Sequence, residues 1–175
     1  MPDTLLIDRD DLKLWKGVSL TATEITELTP VIREAQDLDI AVQLGKPLYY
    51  DLMNNSTDDK YVELLDGKEY TDSEENTVFF KGLKAALCYY TWSRYIKTRN
   101  KKDTASGYMQ KHQGQYSQPV DYREIEKEAN QCRMDAEQYM KDAIDFIKTF
   151  PLIYPLFTAT CKKRSAAGSV RLTTL

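Results

Sequence analysis

The run from Val78 to Arg99, VFFKGLKAALCYYTWSRYIKTR, constrains this chain more than any other stretch, because it is apolar on two sides. At about 100° per residue, Phe79, Phe80, Leu83, Leu87 and Tyr90 fall on one side of a helix, and Ala85, Tyr89, Trp92 and Ile96 on the other. A surface helix keeps one face wet; this one needs cover on both. Either other helices of the same chain supply it, or one stripe is core and the other meets a second subunit. The expectation taken here is the second, with Ala85, Tyr89, Trp92 and Ile96 in a subunit interface.

A second long helix is expected after Asp121. Asp121 and Glu124 have capping-box spacing, and Val120 and Ile125 sit where a hydrophobic staple would place them. Ile125, Ala129, Cys132, Ala136, Tyr139, Ala143, Phe146 and Phe150 then recur at alternating spacings of four and three. Several of these are small, so the stripe suits close packing against the central helix of the same chain better than a seam between chains. Two long helical patterns and only 7 Gly and 6 Pro in 175 residues indicate a mainly α protein, a helical bundle large enough to bury its own core. No apolar run approaches the roughly 18 residues of a membrane span, and Met1-Pro2-Asp3 does not open like a signal peptide, so a cytoplasmic start and no membrane partner are expected.

The expected organisation is an N-terminal arm over 1–20, a helical bundle domain over 21–150 and an extended C-terminal arm over 151–175. Within the bundle, Thr29 can cap a helix with Pro30 in its first turn, and Gly45 followed by Pro47 ends it. Its apolar face would hold Val31, Ile32, Ala35, Leu38, Ala41 and Val42. PLYYDLMNN reads as a short helix pressing Leu48, Tyr49 and Leu52 inward, and YVELLDG as another, capped by Asp58 or Asp59 and ended by Gly67. Glu74 and Glu75 are expected at the positive N-terminus of the central helix, with Asp72 as its cap. Residues 100–119 read as a long polar loop.

Little here suggests a reaction. His112 is the single histidine and falls in the polar loop, and no CxxC, HExxH, GxGxxG or GxxxxGK[ST] pattern occurs. The acidic cluster lacks the Gly and Glu of a calcium loop. Cys88, Cys132 and Cys161 are odd in number and far apart, which suits reduced packing over disulfides or metal. No catalysis, cofactor or metal is expected.

Charge is segregated instead. Residues 51–75 hold nine acids against two lysines, and 94–111 hold six bases against one acid. Past Asp145 there are only cations, Lys162, Lys163, Arg164 and Arg171 among them, on a tail that suits ordering on a partner. Arg94, Lys97, Arg99, Lys101 and Lys102, interleaved with Tyr95, are compatible with nucleic-acid backbone contacts, and a monomeric helical nucleic-acid-binding or regulatory module is the competing reading.

Two blocks carry a family resemblance. Ile32-Arg33-Glu34-Ala35-Gln36 with Asp39-Ile40, Leu44-Gly45 and Leu48-Tyr49 resembles the opening helix of tailed-bacteriophage head-tail connector (adaptor) proteins. Phe80-Lys81-Gly82-Leu83-Lys84 with Leu87 and Tyr89-Tyr90 is similar to their central helix, particularly in crAss-like and related phages. The resemblance implies a structural virion protein at the head-tail interface, assembled in a host bacterial cytoplasm. It implies a dodecameric homo-oligomeric ring that docks under the portal protein, extends the channel for double-stranded DNA and receives the next neck or tail protein. On that reading Lys162, Lys163, Arg164, Arg171 and Leu172 anchor the arm on the portal. Asp58, Asp59, Glu74 and Glu75 join the apolar stripe in the subunit interface, and Lys97, Arg99, Lys101 and Lys102 face a neighbour or the DNA channel.

Overall fold

The computed structural model describes residues 4–17, 22–72, 74–98, 101–104, 107–110 and 122–157. Helix α6 (Leu83–Thr98) runs through the middle, and α7 (Tyr122–Thr149) lies along it in the most extensive helix pairing. Helices α1 (Arg9–Lys16), α2 (Ala22–Ala35) and α5 (Asp59–Asp66) cover its other sides. The fold is a mainly α bundle, as the two long periodic stretches require. Small residues let α6 and α7 approach closely: Ala85, Ala86, Ala129, Ala136 and Ala143 are fully buried, and the Ser93 hydroxyl donates to the Ala129 carbonyl at 2.8 Å. The heptad stripe of α7 thus packs within the chain. Met140 and Ile147, off that stripe, are buried as well, which makes the apolar face wider than a coiled-coil seam.

Helix α6 begins five residues later than its apolar run. Thr77–Phe80 is strand β2, paired antiparallel with β1 (Lys68–Thr71), so Phe79 and Phe80 point to opposite faces. Phe80 stacks on Phe146 at 4.8 Å, and Phe79, expected in the inner stripe, is in solvent. The break is made by two glycines. Gly67 and Gly82 have φ of 88° and 87°, and a Cβ on Gly82 would lie 2.3 Å from the Leu65 carbonyl oxygen. Glu74 and Glu75 consequently sit in the β1–β2 turn rather than at a helix N-terminus, and the Asp72 carboxylate accepts from the Glu74 and Asn76 backbone N–H groups at 2.8 and 2.9 Å. A second antiparallel hairpin, β3 (Lys101–Thr104) and β4 (Gly107–Gln110), occupies the first half of the expected polar loop. Only two residues separate its strands, the commonest hairpin connection.

The N-terminal segment is folded onto the bundle rather than left as an arm. Asp8 and Asp11 form a capping box for α1, Leu12 is fully buried, and Gly17 in the left-handed region ends the helix. Helix α2 starts at Ala22, so Pro30 lies inside it and not in its first turn. It continues through a π-helical turn, Gln36–Ile40, into α3 (Ala41–Leu44), before Gly45 and Pro47 open α4 (Lys46–Asn54). Leu48, Tyr49 and Leu52 of α4 face the core as expected, and Tyr61, Leu64 and Leu65 of α5 are buried as well. After α7 the chain makes turns over 151–157 instead of running extended, and buried Tyr154 donates its hydroxyl to the Lys60 carbonyl at 2.6 Å. Cys88 and Cys132 are buried free thiols, and burial pushes the Cys88 thiol up.

Candidate interaction surface

The stripe expected at a subunit interface is covered by its own chain. Ala85 is 0%, Trp92 5% and Ile96 7% exposed, and Tyr89 is half-buried against Tyr139 at 5.3 Å. The indole N–H of Trp92 donates to Glu128 of α7 at 3.4 Å. Both stripes of α6 are therefore core, because α7 and α1 supply the second cover that a neighbouring copy was expected to give. Any self-assembly surface lies elsewhere.

An exposed apolar pair lies at the π-helical turn. Through the turn Gln36 and Asp39 keep the i+4 phase of the buried Ile32 and Ala35, and only beyond Asp39 does the extra residue shift the buried positions, to Ile40, Ala41 and Leu44. Leu38 and Val42, expected inward, are 58% and 65% exposed one helical turn apart, while the polar Gln36 and Asp39 are buried. The polar pair is fully used. The Gln36 side chain accepts from the Leu6 N–H at 2.8 Å and donates to the Thr4 carbonyl at 3.3 Å. The Asp39 carboxylate, 5% exposed, accepts from Arg94 at 2.7 Å and lies 3.9 Å from Arg133. Glu34 stands 3.5 Å from Arg94, and hydrogen bonding by Asp39 holds the guanidinium above its ordinary pKa. Nearby, Gln43 donates to the Tyr90 hydroxyl at 2.7 Å, and burial pushes that hydroxyl up to about 12. Arg94 is thus an internal ion-pair partner rather than a cation offered to nucleic acid, and Asp39 is the residue that sequence reasoning missed. The signal available in the sequence was Arg94 itself, a cation between the two apolar stripes of a helix, which either reaches solvent with its head group or pairs with an acid.

A second surface surrounds α5. Of its acids, Glu63 pairs with Lys68 at 2.8 Å and Asp66 with Lys84 at 2.7 Å. Asp58 and Asp59 are exposed and make no ion pair among the described residues. Asp58 stands at the N-cap position of α5, but its carboxylate makes no capping hydrogen bond. Lys60 is turned to Asp51 at 3.5 Å and to the Tyr61 ring at 4.4 Å. The Tyr61 and Tyr154 rings join α5 to the turns after α7 at 6.4 Å, and Val62, Leu152, Ile153 and Leu156 of these segments are exposed. Glu74 and Glu75 lie exposed in the β1–β2 turn. Lys97 is exposed in the last turn of α6, where a cation complements the helix dipole. Arg99, His112, Asp121, Cys161, Lys162, Lys163, Arg164, Arg171 and Leu172 and the side chains of Lys101 and Lys102 lie outside the described residues.

The described residues contain no cluster of His, Cys, Asp and Glu that could hold a metal, and no helix among them is long and apolar enough to cross a membrane. Residues 40–167 match a family described as one of unknown function, DUF6712. The chain belongs to that family. Its matched region starts within the π-helical turn and takes in α3 to α7, Gly67 and Gly82, and the chain as far as residue 167, Lys162, Lys163 and Arg164 included but not Arg171. No curated protein and no solved structure matches the chain.

Proposed function

We propose that this DUF6712 chain is a structural subunit of a phage head-tail connector, a neck ring that docks under the portal, extends the DNA channel and joins capsid to tail without catalysis. The reading comes from the resemblance of its two sequence blocks to connector proteins. The observation that best supports it is the Leu38–Val42 ridge, a pair of large apolar side chains kept outside by polar anchors on the same turn. A closed ring needs two unlike faces on each subunit. In this proposal the ridge is one, and the unpaired acids Asp58, Asp59, Glu74 and Glu75 lie on the other, toward cations of the next copy such as Lys97. The stripe inside α6 takes no part.

Light scattering on the purified full chain tests the reading. A ring, or salt-sensitive association that rises with concentration, is expected. Leu38→Glu with Val42→Glu should abolish that association while leaving the thermal unfolding midpoint within a few degrees of the parent, because both side chains are already in water. A strict monomer with salt-dependent affinity for double-stranded DNA would replace this proposal with the nucleic-acid-binding one.

A further inference from the structure

Two neighbouring side chains fix the end of α1 on α7. Trp15 packs edge-on against Tyr139 with ring centroids 5.9 Å apart, and Gly17 ends the helix directly after Lys16. Lys16 is turned toward the bundle. Its Nζ stands 3.3 Å from the Cys132 sulfur and 4.5 Å from the centre of the Tyr89 ring. The residue is half-buried and makes no ion pair among the described residues, although Asp10 and Asp11 lie on the same helix; those acids take Lys13 and Lys84 instead. A lysine at the edge of a core ordinarily carries its head group to water. This one meets a thiol that is 3% exposed.

An amine held at hydrogen-bond distance from a sulfur is placed to bond to it once that sulfur becomes electrophilic. Peroxides bring this about, because they oxidise a thiol to a sulfenic acid, which condenses with a thiol or a nitrogen within reach. Cys88, the other described cysteine, supplies an internal control. It is fully buried, and no hydrogen bond reaches its sulfur among the described residues.

We propose that Lys16 and Cys132 are a modification site, joined by a reversible covalent cross-link when the chain meets hydrogen peroxide. The peroxide takes two electrons from the Cys132 thiol, its O–O bond breaks, and a sulfenic acid and one water result. The Lys16 ammonium gives one proton to solvent, and its nitrogen attacks the sulfur. The S–O bond breaks, a second water leaves, and an S–N bond remains. Two equivalents of a thiol reductant restore the thiol and the amine and become a disulfide themselves. Burial raises the pKa of the Cys132 thiol and the Lys16 contact opposes that rise, so thiolate is scarce and the reaction is slow at neutral pH. The bond closes a loop that contains α6 and ties α1 to α7, which stabilises the oxidised chain against unfolding. It lies within one chain and does not depend on ring assembly.

Peptide mass mapping of the folded full chain after treatment with excess hydrogen peroxide tests the proposal. A peptide pair joined at Lys16 and Cys132 is expected, with tryptic cleavage after Lys16 lost and the pair released by dithiothreitol. Lys16→Arg keeps the charge but removes the amine; it should give no pair, and its Cys132 should pass on to sulfinic and sulfonic acids. Peroxide treatment in denaturant should lower the yield of the pair at least tenfold, because the amine is no longer held at the sulfur. The oxidised parent should unfold at a higher temperature than the reduced one, and reductant should remove the difference. Recovery of Cys132 from the folded, treated parent as a thiol, a disulfide or a sulfinic or sulfonic acid, with Lys16 still cleaved, would overturn the proposal. An equal yield of the pair from the denatured chain would overturn the role of the fold in making it.

Discussion

Three side chains show what burial does to charge and size at single positions. Asp39 is enclosed with Arg94, and removing the acid strands a partly buried guanidinium. Asp39→Ala is expected to cost roughly 3 kcal/mol, the lower part of the range for breaking such a pair because Arg94 keeps some solvent contact; chemical denaturation measures it. Asp51 accepts from the Tyr61 hydroxyl, and that hydrogen bond, with Lys60 nearby, holds its carboxyl below the usual carboxylate range. A depressed acid stabilises the fold above its ordinary pKa, and the contribution is lost as pH falls through the lowered value. Asp51→Asn should therefore flatten the acid side of the stability–pH profile and leave its slope near neutrality unchanged. Trp92 is core, so Trp92→Ala should destabilise the single chain by about 3 to 5 kcal/mol rather than act on assembly alone.

At the scale of elements, periodicity was a good guide wherever a helix was continuous. The alternating four-and-three spacing of α7, the Gly45-Pro47 stop, the α4 face and the end of α5 at Gly67 are all in the structure as written in the sequence. It was misleading at two joints. Val78-Phe79-Phe80 fits a helical stripe and a strand equally well, since three apolar residues do not distinguish the two periods. What decides for strand β2 is Gly82 against the Leu65 carbonyl, a contact between segments far apart in the chain. Gly82→Ala should accordingly destabilise the protein by more than the ~1 kcal/mol typical of a glycine position, with the loss read in thermal unfolding, because backbone rather than a flexible side chain must move. The π-helical turn is the other joint. Its inserted residue is invisible to a pattern that assumes 100° steps: it shifts the buried positions beyond Asp39 to Ile40 and Leu44 and leaves Val42 outside, while Leu38 is off the phase that Ile32 and Ala35 share with Gln36 and Asp39.

For the whole molecule, the oligomeric state is the property on which the proposed role depends, and the surfaces named for it are exposed ones. Light scattering on the parent and on the Leu38→Glu, Val42→Glu chain separates a ring from a monomer. The amino-acid sequence by itself determined that this would be a helical bundle, that α7 would fold onto α6, and where most helices end, because amphipathic period and capping are local in the chain. It also marked α6 as greasy on both sides. Whether the second side met a sibling helix or a second molecule was settled only by tertiary packing, since hydrophobic burial depends on the area removed from water and not on which chain removes it. The same holds for Asp39: a carboxylate on a helix is a surface residue until an arginine from elsewhere in the fold arrives to share its burial.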